Sequence, residues 1–403
     1  MSLLSVTEAQ QHLLEGVTPL ETEVVRLAAA NGRMLAEDLE ALRTQPPFAA
    51  SAMDGYAVRA VDVEKVPATL TVIGEAAAGH GFAGTVGRGE AVRIFTGAPV
   101  PRRADTIVIQ EDTTREDGSD AVTVTESAEY GTYVRPAGLD FALGQTLLHQ
   151  GTRLDYRTLS LAAAMNHGTV RVRRRPVVAI LATGDELVEA GGTPGPDQII
   201  ASNSHGVAGI VADAGGEPLD LGIAADTVEA ISTAIRRARE ARADILVTLG
   251  GVSVGDHDLV RHALGENAFE MAFWRIAMRP GKPLMFGKAG PMRVLGLPGN
   301  PVSSLVCSLL FLAPLVRSML GVSAPFAPEV PAILGEDLAE NDRRQDYLRA
   351  TLELDEEGRP VVTPRSLQDS SLLSMLAGAE ALIIRPPFAP AAKAGSPCRI
   401  IRL

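Results

Sequence analysis

From Pro176 onward the apolar positions fall into two alternating textures. PVVAILATG, EPLDLGIA, ADILVTLGG and RVLGLPGN are near-continuous runs of Val, Ile, Leu and Ala. Between and after them lie SHGVAGIVADAGG, DTVEAISTAIRRAREA and the apolar segment 301–320, which read as helices. Strands apolar on both faces, alternating with helices, predict a parallel sheet covered on both sides. Residues 46–144 have a different pattern: the short apolar runs TLTVIG, EAVRIF, DTIVIQE and AVTVTE, separated by Gly-rich spacers. Such spacing predicts a mostly β insertion. After Pro325, YLRATLEL, PVVTP, ALIIRP and CRIIRL predict a small terminal β barrel or sandwich. Upstream, VTEAQQHLLEG (6–16) predicts a helix with Thr7 as N-cap and Gly16 as its stop. A second helix is expected over about 19–31, ending at Asn31-Gly32, with RMLAEDLEAL extended after it. DYRTLSLAAAMNHG (155–168) predicts a helix, followed by the strand TVRVRR.

Composition narrows the class. The chain has 403 residues, with Lys+Arg 37 against Asp+Glu 49 and a net charge of −12. Its longest basic run is Arg173-Arg174-Arg175, and aromatics are 4%, so there is neither a basic face nor a set of stacking platforms for nucleic acid. Nucleic-acid binding is not expected. Cys307 and Cys398 are too few for a disulfide framework or a Cys-rich zinc site. Reduced thiols and a cytoplasmic location are expected. The start, MSLLSVTEAQQ, lacks a signal peptide's basic and apolar regions. LVCSLLFLAPLV (305–316) is too short to span a bilayer and contains Pro314, so it reads as a buried helix and no membrane partner is expected.

Chemistry is expected at the carboxyl ends of the parallel strands, beside helix N-termini. Three such ends carry unusual residues: LATGDEL (181–187), LGGVSVGDHD (249–258) and LGLPGNPVSS (295–304). Glycines there let backbone N–H groups approach an anion, which predicts a site for a phosphate-rich ligand. Thr183, Gly184, Gly250, Gly251 and Ser253 are the candidate binding residues in the first two loops. RIAMRPGKP (275–283) adds Arg275, Arg279 and Lys282 without the spacing of a Walker loop. Gly251 to Gly255 also matches the G-x-S-x-G nucleophile elbow. That chemistry needs a histidine well downstream of Ser253, and the last of the seven is His262, so a serine hydrolase is excluded.

Glu186 and Asp258 place negative charge in the same loops. Two unit charges ~4 Å apart at an effective dielectric of ~20 repel by about 4 kcal/mol. A divalent cation, protonation or a cationic reaction centre must offset them, and Mg2+ with its oxygen ligands is the simplest answer. Asp256-His257-Asp258 looks like a ligand cluster, but adjacent residues rarely converge, and His257 reads as a surface-loop residue.

SAMDGYAVR (51–59), RIFTGAPVP (93–101), TGDEL (183–187), GGVSVGDHD (250–258), RPGKP (279–283) and GLPGNPVS (296–303) together resemble the MoeA-type molybdopterin molybdenumtransferases. Gephyrin's C-terminal part belongs to the same family. The resemblance implies a multidomain α/β plus β chain, with a MoaB/Mog-like molybdopterin-binding domain from residues 1–22 and 174–326. It implies a linking domain from 23–45 and 142–173, a β insertion at 46–141 and a C-terminal β domain at 327–403. A homodimer is implied, as is transfer of molybdate to adenylylated molybdopterin with release of AMP and involvement of Mg2+. The adenylyltransferase that makes the substrate and the molybdoenzymes that use the product are further implied partners.

Carried over residue by residue, the resemblance implies catalytic carboxylates at Asp54, Asp140, Glu186 and Asp258, with Glu186 and Asp258 also holding metal. It implies substrate binding by Thr96, Asp226 (opening the DTVEA helix), Arg275, Arg279, Lys282, Pro298 and Pro301. Asp54, Thr96 and Asp140 are expected to face the α/β site across the dimer. The chain departs from the family pattern at Arg275, where Lys is common. It departs again at Asp369-Ser370, where Gly-Ser is expected to contact phosphate; Ser370 and Arg349 are the binding candidates there. Two rival functions are an adenylyltransferase on the same fold, which lacks the β insertion and terminal domain, and a gephyrin-like scaffold, which would not need the four carboxylates.

Overall fold

The structure, a computed structural model, describes residues 3–251, 259–265 and 269–403. It divides into two compact units: one holds Met1–Glu23, Gly32–Met34 and Val172–Leu403, the other Val24–Asn31 and Leu35–Arg171.

The first unit opens with α1 (Val6–Leu14), whose N-cap is Ser5 rather than Thr7. The Ser5 hydroxyl accepts the Glu8 N–H at 3.2 Å, and the Glu8 carboxylate accepts the Ser5 N–H at 2.8 Å. This capping box satisfies two otherwise orphaned groups and starts the helix at Val6, so Thr7 falls inside it. The helix expected over 19–31 is absent: Thr22–Arg26 is a strand, followed by a single 3-10 turn at Leu27–Ala29. Its β-branched Thr22, Val24 and Val25 favour the extended backbone.

The second unit is built on β1 (Gly55–Val58), β2 (Ala68–Ala76), β3 (Glu90–Ile94), β4 (Thr106–Ile109), β5 (Thr113–Thr114) and β6 (Ala121–Val124). These strands form a sheet in the order β4-β1-β3-β2-β6-β5. Alternation along β1 sends Tyr56 and Val58 into one apolar cluster and Ala57 into another, so both faces of the sheet are covered. The unit closes with α2 (Tyr156–Ala164), N-capped by Asp155.

The first unit resumes with β7 (Val177–Thr183), α3 (Asn203–Asp213), β8 (Glu217–Ala224), α4 (Val228–Glu240), β9 (Ile245–Leu249) and α5 (Leu259–Gly265). β10 (Phe269–Arg275), β11 (Pro283–Ala289) and β12 (Met292–Leu297) complete the sheet, in the order β8-β7-β9-β12-β11-β10. β8, β7, β9 and β12 run parallel, as the sequence predicts. β11 and β10 are antiparallel additions that the sequence pattern did not predict. One face packs on α1, α3 and α6 (Pro301–Met319), the other on α4 and α5. α6 is 19 residues long and apolar, enough by length and composition alone to cross a bilayer, but most of it is buried inside the protein. A π turn at Ser308–Leu312 precedes Pro314, where the missing N–H interrupts the α-helical ladder.

The chain ends in β13 (Val330–Leu334), β14 (Gln345–Leu354), β15 (Pro360–Pro364), β16 (Ala381–Arg385) and β17 (Pro397–Arg402). Among the described residues these five strands close into a barrel, β14-β15-β13-β17-β16 and back to β14. Ala332, Leu334, Ala350, Val362, Ile383 and Ile400 fill it. The short strand Met278–Arg279 joins its rim by pairing with Gln345 and Asp346.

Candidate active-site cavity

β7, β9 and β12 are parallel neighbours in level register, with Ala182 opposite Leu249 and Leu249 opposite Leu297. Their loops therefore leave the sheet side by side and wall a cavity of about 1000 Å3 in the first unit. Thr183, Gly184, Glu186, Asp226, Gly250 and Gly251 line one part of it, and Arg279, Lys282, Pro298 and Pro301 another. Ser202, Asn203 and Ser204 at the start of α3, together with Arg344, Gln368, Asp369 and Ser370, complete it.

Two glycines are required by this geometry. Gly184 has φ +148°, and a Cβ there would lie 2.3 Å from the Glu186 Oε2, so the carboxylate rests against bare main chain. Gly250 has φ +93°, and a Cβ would lie 2.9 Å from the Thr183 carbonyl oxygen, so the first two loops press backbone to backbone.

The cavity lining carries both signs of charge. Glu186 and Asp226 line the cavity, and Asp185, outside the lining, accepts the Asp226 N–H on Oδ1 at 3.0 Å. The covered part of Asp226, then the charges of Asp185 and Glu186, raise its pKa. Asp226 precedes the cap of α4, which is Thr227, whose hydroxyl accepts the Ala230 N–H at 3.2 Å. The cavity's cations are Arg279, Lys282 and Arg344. Among the described residues Lys282 has no ion-pair partner, whereas Arg279 is held by Asp346 and Arg344 by Asp342.

The third loop is tied to the barrel end of the site. Pro301 occupies the first turn of α6, where its missing N–H costs no hydrogen bond. Asn300 Nδ2 donates to Ser370 Oγ at 2.9 Å, and the Val302 N–H donates to the Ser370 carbonyl at 2.9 Å. Ser370 therefore reaches the cavity despite the Asp that replaces Gly before it. Arg349 is only 1% exposed and does not line the cavity. It donates from Nη2 to the Asp369 carbonyl at 3.1 Å and so braces the loop beneath. Arg275 also lies outside the lining. Asn203, Asn300, Arg344 and Gln368 line the cavity and were not anticipated. The adjacency of Asn300 to Pro301 was a usable signal, but nothing local marks the other three.

In the second unit Asp54 and Thr96 meet, with Asp54 Oδ1 accepting both the N–H and the hydroxyl of Thr96. Asp140 sits at an exposed turn, its N–H donating to the Gln45 carbonyl at 3.0 Å. Ser253 and Asp258 lie outside the described residues, as do Asp256 and His257.

Residues 4–166 match the family profile for the MoeA N-terminal region (domain I and II). Residues 179–318 match a probable molybdopterin binding domain, and 331–403 match the MoeA C-terminal region (domain IV). The chain belongs to the MoeA family. The molybdopterin molybdenumtransferase of Haemophilus influenzae is 35% identical over 385 residues, covering 95% of this chain and 94% of that relative. The Bacillus subtilis molybdopterin molybdenumtransferase is 34% identical over 389 residues, with 95% and 90% covered. The crystal structure of the molybdopterin biosynthesis MoeA protein of Pyrococcus horikoshii matches with a TM-score of 0.82 and 29% identity, over 100% of this chain and 99% of that one. Within this MoeA-family chain the probable molybdopterin binding domain supplies the cavity's three strand-end loops, and the C-terminal region closes it at Arg344 and Gln368 to Ser370.

Proposed function

We propose that this chain carries out the family's reaction in the cavity above β7, β9 and β12, joining molybdate to adenylylated molybdopterin and releasing AMP. It is a molybdopterin molybdenumtransferase, an enzyme of molybdenum cofactor biosynthesis. The observation that carries this reading is the mixed lining: the main chain of the glycine loops and the cations Arg279, Lys282 and Arg344 share one cavity with the carboxylates Glu186 and Asp226, and the matched molybdopterin binding domain supplies all of that lining except Arg344 and residues 368–370.

In this reading Lys282, Arg279 and the main chain of the glycine loops bind the anionic phosphates. Ser370, held by Asn300, binds a phosphate from the barrel side. Thr183 and Gly184 shape the floor, while Pro298 and Pro301 fix the loop that leads into α6. Glu186 and Asp258 hold Mg2+, and Asp54 and Asp140 complete the catalytic carboxylates. Glu186 brings a carboxylate oxygen, the hard donor that this ion takes, to the cavity lining. Mg2+ characteristically uses only one or two carboxylates and takes its other oxygens from phosphates and water. When bound, it neutralises the charge that carboxylates, phosphates and molybdate bring together.

A cytoplasmic homodimer belongs to the same reading, with Asp54, Thr96 and Asp140 of one copy serving the cavity of the other. The test is a mass-spectrometric assay with adenylylated molybdopterin, molybdate and Mg2+. Release of AMP with formation of molybdenum-loaded pterin is expected. Intact adenylylated pterin after prolonged incubation would reject the assignment.

A further inference from the structure

Arg279 is joined to the terminal barrel twice. Its backbone pairs in parallel with Asp346 at the start of β14, and its side chain grips the Asp346 carboxylate in a fork. Nε donates to Oδ1 at 2.9 Å while Nη2 donates to Oδ2. The Asp346 side chain is 5% exposed, whereas that of Arg279 is 50% exposed and lines the cavity. The buried carboxylate takes Nε and one N–H of Nη2, so Nη1 and the second N–H of Nη2 lie outside the fork. Asp342 approaches Nη1 at 3.9 Å and also receives Arg344 Nη2 at 2.8 Å, so two cavity-lining guanidinium groups share one carboxylate ladder.

A carboxylate beside an anion site opposes the ligand by simple Coulomb repulsion. Its burial and forked geometry suit a different purpose. A free Arg samples many rotamers, and fixing it before the ligand arrives removes that entropic cost from binding. We propose that Asp346 is a positioning residue for the transferase reaction, holding Arg279 in the geometry that receives the anionic part of the adenylylated pterin. This rests on the function proposed above for the same cavity.

The two accounts predict opposite signs. By repulsion alone, Asp346→Asn would tighten binding of an anionic ligand. By positioning, it weakens it. Isothermal titration with adenylylated molybdopterin should show Kd rising about tenfold in Asp346→Asn, the bidentate fork being the stronger hydrogen-bonding arrangement. AMP release at saturating substrate should stay within about twofold, a KM effect without a kcat effect. Arg279→Lys, which keeps the charge but loses the fork, should weaken binding similarly, and the double variant should be no weaker than Arg279→Lys alone. Asp346→Glu keeps the buried charge and displaces the guanidinium, so it covers the case in which Asp346→Asn unfolds; it too should raise Kd. Unchanged or tighter binding in the folded Asp346 variants, or full additivity with Arg279→Lys, would overturn the proposal. AMP release by the wild-type chain reports on the function separately: a chain that binds the pterin without releasing AMP leaves the cycle informative, and one that does not bind it overturns both.

Discussion

Asp54 Oδ1 accepts the backbone N–H and the hydroxyl of Thr96, each at 2.7 Å, across 42 residues of sequence. The N–H bond first, then the hydroxyl bond, lower the Asp54 pKa. The stability that this lowering contributes is present above the ordinary aspartate value of about 3.9 and is lost as pH falls through the lowered native value. Asp54→Asn should reduce turnover about tenfold or more, because both donors lose a charged acceptor. Thr96→Ala keeps the N–H and should cost less, roughly threefold. Single-turnover AMP release compares them. Equal, full activity in both variants would remove the pair from the reaction.

Gly184→Ala puts a methyl group where the Glu186 carboxylate lies, at a φ that side chains rarely adopt. Local strain of about 1–3 kcal/mol is expected, with Glu186 displaced. Turnover should fall about tenfold or more while the far-UV spectrum is preserved. A Gly184→Ala enzyme of normal activity would show that the Glu186 position is immaterial.

Metal removal tests the carboxylate cluster. With Glu186 and Asp226 lining a cavity that takes phosphate, and Asp185 bonded to the Asp226 main chain, entry of molybdate should need a divalent cation. AMP release across pH 6–8 should collapse in chelator and return with Mg2+. If protonation substitutes for the metal, activity instead rises toward lower pH and ignores chelator.

The division of the proposed carboxylates between the two units leads to a complementation experiment. Asp54→Ala and Glu186→Ala chains, each inactive, should regain part of the wild-type rate when mixed and isolated as heterodimers. Verified heterodimers with no recovered activity would reject a site assembled from two copies.

The sequence carried the local physics. Near-continuous Val/Ile/Leu runs alternating with helices predicted the parallel strands β8, β7, β9 and β12, and the Gly-rich motifs at three of their ends predicted the cavity wall. Both signals lie within one element and its loop, where apolar periodicity and turn chemistry act. β10 and β11 were hidden because the Pro and Gly of 279–283 mark a connector as readily as a hairpin-like edge. Thr22–Arg26 was misread as helix because a few apolar positions fit either period. What tertiary structure alone decided is which distant side chains meet. Asn300 reaches Ser370 across 70 residues, Arg279 reaches Asp346 across 67, and the buried Arg349 braces the loop rather than lining the cavity. Those pairings are set by closure of the β13 to β17 barrel and by the register that places Arg279 opposite Asp346, and register is a property of two strands together.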